Sequence, residues 1–252
     1  MRKKIYKYYS FSSPYWETPF KKKYLYFASL KSVNDPYEAV FTFSKFQSDR
    51  EVCKFLKGYS IEMVEQYNKG TDRKKREILK LIDRNFLRES MKNFMIQVAG
   101  ISCFSKSPRI LPMWSHYSQI HSGFCLEFDT ELLDECAKGE DKINWKNVKY
   151  VKEPPEFNPC KPPLYSEYIS HKHISWQYEQ EVRAWRLPTN YYFKPECITS
   201  IYLGSNIFSK SENLKKIIKF GKKDFPHLKE KTYRAEVLDN KYKIKMIKQS
   251  LF

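Results

Sequence analysis

At 252 residues the chain is long enough to bury one large core or two small ones. Apolar residues at 41%, with 19 Tyr and 18 Phe against 7 Gly, exclude a disordered chain, and no run approaches the ~18 apolar residues of a membrane-spanning helix. A net charge of +17 raises a nucleic-acid partner, yet only 10 of the 46 basic residues are Arg and the excess is spread along the chain, which fits simple solubility equally well.

In chain order, Ile5 to Tyr9 and Tyr24 to Phe27 are aromatic-rich strand candidates separated by a loop marked by Pro14 and Pro19. Asn34-Asp35-Pro36 is a turn signal, because Asn and Asp bond their own backbone and Pro fixes φ. From about 49 to 95 apolar residues recur at three- and four-residue steps. This predicts an inserted pair of helices, broken at Asn68-Lys69-Gly70 and packed against a sheet. Val98 to Phe104, Phe124 to Phe128 and Val148 to Val151 are predicted strands, with a short helical turn around Met113 to Tyr117 and a proline-rich loop over 153–163. Glu181 to Leu187, Ser200 to Leu203, Arg234 to Val237 and Lys243 to Ile247 follow as strands, with an amphipathic helix over Leu214 to Phe220. The whole predicts a single α+β domain over 1–252 built on a mixed, mostly antiparallel sheet.

The six cysteines stand singly, without a Cys-x-x-Cys pair, which argues against structural zinc, and with no apolar core of signal-peptide length behind Met1 to Tyr6 reduced thiols in a cytoplasmic protein are expected. No metal site is expected: His171 and His173 near Cys160 have no further ligands at metal spacing. The P-loop, the Gly-x-Gly-x-x-Gly fingerprint and the Gly-x-Ser-x-Gly elbow are all missing.

Two stretches concentrate chemistry. One runs from Ser102-Cys103-Phe104-Ser105 through Met113-Trp114-Ser115-His116-Tyr117 to His121-Ser122-Gly123. Its Trp and Tyr rings offer flat faces, and His116 and His121 can exchange protons near neutrality, although Trp114 and Tyr117 also suit a helix turn facing a core. The other is Trp176-Gln177-Tyr178-Glu179-Gln180-Glu181-Val182-Arg183. If extended, it sets Glu179, Glu181 and Arg183 on one face, either as a surface ladder of charge pairs or as carboxylates aimed at a ribose hydroxyl.

Taken together, Tyr24-Leu25-Tyr26, Asn34-Asp35-Pro36-Tyr37-Glu38, Cys103-Phe104-Ser105, Met113-Trp114-Ser115-His116-Tyr117, the His121 to Phe128 motif and Trp176-x-Tyr178-Glu179-x-Glu181-x-Arg183 resemble the bacterial domain-of-unknown-function family 2971. That resemblance implies a bacterial cytosolic protein, with accessory or anti-phage defence genes as its context. A more distant similarity is to ADP-ribosyltransferases, whose NAD cleft is lined in order by a first-strand Arg or His, a serine-bearing strand and a Glu-x-Glu strand. Here Lys7-Tyr8, Ser102 to Ser105 and Glu179-Gln180-Glu181 take those places, with Lys and Tyr where the enzymes carry Arg or His. The likeness implies NAD as substrate, with Glu181 on the ribose and the oxocarbenium-like state, Glu179 orienting the acceptor, and His116 as a proton carrier. Lys7, Tyr8, Ser102, Ser105, Trp114, Tyr117, His121 and Arg183 would then bind the nucleotide, with Tyr117 or Trp114 stacking on nicotinamide. Two other readings stay open: a basic nucleic-acid-binding or nuclease protein using Asp35, Glu38 and the 179/181 pair on a metal, and a non-enzymatic sensor that docks a small ligand or partner protein.

Overall fold

Along Lys4–Tyr9 the side chains alternate across a sheet: Ile5, Lys7 and Tyr9 share a face with Leu126 and Phe128, while Tyr6 and Tyr8 face the other way with Cys125 and Glu127. The computed structural model describes residues 4–33, 35–98, 100–137, 142–187, 190–207 and 211–250. The chain divides into two compact units, one of Met1–Ala28, Gly100–Val148 and Ser175–Phe252, the other of Ser29–Ala99 and Lys149–Ile174.

Among the described residues, the main sheet of the first unit runs through β1 (Lys4–Tyr9), β2 (Gly100–Ser105), β3 (Phe124–Asp129), β4 (Asn144–Asn147), β5 (Glu181–Arg186), β6 (Ile198–Leu203), β7 (Thr232–Val237) and β8 (Ile244–Gln249). They lie in the order β8-β7-β6-β3-β1-β2-β5-β4, antiparallel except for the parallel β6–β7 pair, so the fold is α+β with a mostly antiparallel sheet. One face is dry. Ile5, Phe104, Phe124, Leu126, Phe128, Val182, Ala184, Ile201 and Leu203 pack there under Phe20, Ile217, Phe225 and Leu228 from helices Thr18–Lys21 and Ser211–Asp224 and the turn around Pro226–Lys231. Each fully buried Phe or Leu contributes roughly 1.5–3 kcal/mol over an exposed one. On the opposite face a smaller cluster joins Trp114, Cys125, Tyr202, Ala235 and Ile244. A bulge between Ile198 and Ser200 keeps Ile198 and Ile201 on the dry face and turns both Thr199 and Ser200 toward Glu127. Pro19, expected in a loop, sits in the first turn of Thr18–Lys21, where its missing N–H has no helical partner to lose.

In the second unit, the stretch over which a pair of helices was expected shows four among its described residues: Asp49–Lys57, Ile61–Lys69, Asp72–Leu81 and Arg84–Val98. The expected break at Gly70 is present. Ser60 makes a further one, its hydroxyl accepting from Glu62 and Met63 N–H, just as Ser48 and Thr71 cap the helices that follow them. Val52, Leu56, Tyr67, Ile78 and Ile82 form the core of the bundle. Asn34 of the expected turn lies outside the described residues, while Asp35 Oδ1 accepts from the Tyr37 N–H at 2.9 Å, the local bond that favours Asp there. The proline-rich stretch contains a two-residue strand, Glu156–Phe157, parallel to Thr42–Phe43. Among the described residues no helix is long and apolar enough to cross a membrane.

Candidate functional site

The helix Leu111–Tyr117 starts with Pro112 in its first turn and anchors on Trp114. That indole is fully buried, donates from Nε1 to the Pro108 carbonyl at 2.7 Å and meets the Tyr8 ring edge-on at 5.2 Å. Trp114 is therefore a core anchor with no open face for stacking. Tyr8 is fastened as well, its hydroxyl donating to the Ser107 carbonyl at 2.9 Å.

Past the helix, Gln119, Ile120 and His121 take φ of 52°, 51° and 60°, three consecutive left-handed residues without a glycine. The His121 N–H donates to the Trp114 carbonyl at 3.1 Å and the Gly123 N–H to Ser118 at 2.7 Å, while the Asn206 N–H donates to the His121 carbonyl at 2.9 Å. Gly204 permits this approach, since a Cβ there would lie 2.0 Å from the His121 oxygen. The turn lays the His121 ring over Trp114, centroids 6.4 Å apart, and shares a hydrogen bond of 3.2 Å between Nε2 and Ser115 Oγ. Burial pushes the His121 pKa below the ordinary imidazole value, so the ring is neutral at pH 7. It borders an open groove with Ser205, Asn206, Arg234 and Glu236.

The second stretch does not extend as one strand. Residues Ile174–Glu179 form a 3-10 turn, Gln180 flips to φ 47°, and extended structure begins at Glu181. The kink removes Glu179 from the strand and brings it to the helix: Tyr117 OH donates to Glu179 Oε1 at 2.6 Å, and Ser105 Oγ donates to the Glu179 carbonyl at 2.7 Å. Beside them His116 Nδ1 and Tyr178 OH share a hydrogen bond of 3.0 Å, with Trp176 6.2 Å from the Tyr178 ring. Glu179 is buried, His116 is exposed, and Tyr117, Trp176 and Tyr178 are half-buried. The two stretches picked out in the sequence thus meet here, through Tyr117 with Glu179 and His116 with Tyr178.

Glu181 and Arg183 form a different feature. Arg183 Nε and Nη2 reach the two Glu181 oxygens at 2.8 and 3.1 Å, with Arg183 0% and Glu181 3% exposed. The charge ladder expected at the surface is a sealed, bidentate ion pair on the strand between β2 and β4. Cys103 lies across from Arg183 in the register, and burial together with the Glu181 charge pushes its thiol pKa up, which keeps it protonated and unreactive.

Lys7 and Ser102 stand elsewhere. The registers pair Lys7 with Leu126 and Ser102 with Ala184, so both belong to the dry face, opposite to Glu181, Arg183 and Ser105. Lys7 Nζ donates to Ser102 Oγ and to the Cys103 carbonyl, each at 3.0 Å, beside the Phe104 ring. Loss of hydration pushes its pKa below the ordinary lysine value. The expected nucleotide wall therefore divides between two faces of the sheet.

Glu127 is a buried carboxylate to which sequence reasoning assigned no role. It accepts from Lys4 Nζ and Thr199 Oγ1 at 2.7 Å each and from Tyr202 OH at 2.8 Å. Burial pushes its pKa up, but these donors outweigh it and hold the carboxyl below its ordinary value. The only sequence signal was parity, which sets it opposite Leu126 and Phe128. Among the described residues no group of three His, Cys, Asp or Glu could hold a metal ion.

Residues 113–184 match the model of a family described as a protein of unknown function (DUF2971), so the resemblance carried by Met113 to Tyr117, His121 to Phe128 and Trp176 to Arg183 holds over that stretch. No curated protein and no solved structure matches the chain.

Proposed function

We propose that this chain consumes NAD, breaking its nicotinamide–ribose bond at the cluster of His116, Tyr117, Trp176, Tyr178 and Glu179. One observation carries the reading: the Tyr117 hydroxyl 2.6 Å from Glu179 joins a wall of rings and imidazole to an acid. A carboxylate held in place by a hydroxyl, in a setting of low polarity, stabilises the positive charge that develops on a ribose as its C–N bond breaks. The electron pair of that bond leaves with nicotinamide, an acceptor oxygen or nitrogen bonds to the ribose carbon, and the acceptor's proton passes to Glu179 or His116. The half-buried rings of Tyr178 and Trp176 suit the flat nicotinamide. Arg183 already claims both Glu181 oxygens, so in this reading Glu179 takes the reacting role first intended for Glu181, and the Glu181–Arg183 pair positions the strand.

The test is nicotinamide release from NAD with candidate acceptors. The reading expects Glu179→Gln to lower kcat by about 10²–10³-fold and Tyr117→Phe by less, with the fold intact by circular dichroism. Wild-type protein that releases no nicotinamide, or Glu179→Gln that releases it at the wild-type rate, overturns it. The sealed Glu181–Arg183 pair also favours a second reading, a non-enzymatic sensor. For that reading the same assay would show NAD bound, with quenching of Trp fluorescence, and no turnover.

A further inference from the structure

Cys136 and Cys197 are 61 residues apart in sequence, yet their sulfurs lie 3.5 Å apart. Cys136 caps the helix Thr130–Glu135, with its N–H donating to Leu133 at 3.0 Å. Cys197 closes the 3-10 turn Pro195–Cys197 at the start of β6, with its N–H donating to Lys194 at 3.0 Å. Two further bonds tie these turns together: the Lys194 N–H donates to Cys136 Sγ at 3.5 Å, and the Tyr191 hydroxyl donates to the Leu133 carbonyl. Both cysteines belong to the first unit. The remaining four thiols are engaged differently: Cys53 Sγ bonds Asn68, Cys160 Sγ bonds the Glu51 carbonyl, Cys125 is buried on the Trp114 face, and Cys103 lies beside Glu181 and Arg183.

The two sulfurs are not equivalent. Cys136 is half-buried, whereas Cys197 is 1% exposed. Burial, and then the neighbouring Cys136, push the Cys197 thiol well up, so it is not the sulfur that an oxidant meets first.

We propose that Cys136 and Cys197 are a site of reversible covalent oxidation that closes to a disulfide in the presence of a peroxide. The Cys136 sulfur attacks one peroxide oxygen and the O–O bond breaks; the proton given up by the Cys136 thiol goes to the departing oxygen, leaving a sulfenic acid on Cys136 and releasing one water. Cys197 then gives up its proton as its sulfur attacks the Cys136 sulfur. The S–O bond breaks, and the departing oxygen takes the proton and leaves as a second water. Two electrons pass from the thiol pair to the peroxide. The sulfurs need to close by only about 1.5 Å to reach bonding distance. The new bond encloses residues 137–196, a loop that carries β4, β5 and the Trp176–Glu179 turn. Oxidation therefore restricts the unfolded chain over the stretch that contains Glu179, whether or not that residue acts on NAD.

The experiment treats the full chain with a small excess of hydrogen peroxide, blocks the remaining thiols by alkylation, and maps peptides without reduction. The expected result is one intramolecular cross-link between Cys136 and Cys197, two fewer titratable thiols than the six of the reduced chain, and full reversal by dithiothreitol. The thermal midpoint should rise by about 5–15 °C in the oxidised form, as expected for closing a loop of this length in a domain of this size. Cys136→Ser, at the more exposed position, should abolish both the cross-link and the shift while leaving Cys197 alkylated after unfolding. A sulfinic or sulfonic acid on Cys136 beside a free Cys197, a cross-link between other cysteines, or an oxidation-dependent shift that survives in Cys136→Ser overturns the proposal.

Discussion

Arg183→Met tests whether the Glu181–Arg183 pair holds the sheet together. Wild-type Arg183 is 0% exposed and closes two hydrogen bonds, 2.8 and 3.1 Å, onto a carboxylate that is 3% exposed. Methionine roughly fills the volume of the arginine stem but takes the bidentate guanidinium away from the buried Glu181 charge. Breaking one side of such a pair costs about 3–5 kcal/mol, far more than the ~1 kcal/mol or less of a surface ion pair. Glu181→Gln should cost a comparable amount by removing the negative charge that the buried guanidinium faces. The double variant Arg183→Met/Glu181→Gln removes both charges and should recover most of the loss, giving a coupling of about 2–4 kcal/mol of opposite sign to the single effects. The assay is urea unfolding at pH 7 followed by Trp fluorescence, fitted to the transition of the first unit, because two compact units need not unfold together. A single variant within about 1 kcal/mol of wild type, or a double variant no more stable than the worse single, refutes the idea of a sealed pair. The result also governs how kinetics are read, since turnover lost in Glu181→Gln would then reflect unfolding rather than chemistry.

Glu127 and Ile120 give two independent checks. The Glu127 carboxyl is held below its ordinary pKa of 4.5 in the folded chain, so its contribution is fully present above that value and fades as pH falls through the lower folded pKa. The thermal midpoint of wild type should therefore fall more steeply than that of Glu127→Gln on acidification below about pH 4.5, and parallel curves would contradict the assignment. Ile120 is a β-branched residue at φ 51° with 73% of its surface exposed, so it bears left-handed strain while burying little. Ile120→Gly should raise stability by about 0.5–1 kcal/mol, seen as a higher thermal midpoint, and a lower one would show that the side chain makes a contact worth more than its strain.

The sheet was legible because one of its faces is dry. Phe124, Leu126 and Phe128 announce a buried strand by period, and Pro112 with Trp114 announces the helix turn that returns to it. The helical segment was legible in kind but not in number. Apolar spacing runs on through Gly58 to Met63, where Gly58 ends one helix and the capping hydroxyl of Ser60 starts the next. Gln180 hid the geometry of Glu179: a left-handed glutamine has no reliable sequence signature, and without that kink Glu179 and Glu181 read as neighbours on one face. The contact of Cys136 with Cys197 across 61 residues leaves no trace in spacing.

The division of the expected nucleotide wall, by contrast, was available from parity alone. Ser102 and Ser105 are an odd number of residues apart on one strand, so a straight strand cannot turn both toward the same ligand. Lys7 shares parity with Ile5 and Tyr9, which places its stem among the apolar residues that pack against β3. Similarity in chain order to a Glu-x-Glu enzyme concerns sequence along the chain, whereas a binding wall requires a common face, and the two agree only when spacing is even and the strand unkinked. Ser105, Glu181 and Arg183 meet that condition, but the guanidinium occupies the acid. Glu179 fails it through Gln180 and is for that reason carried to Tyr117, where the acid, the hydroxyl and the His116–Tyr178 pair converge.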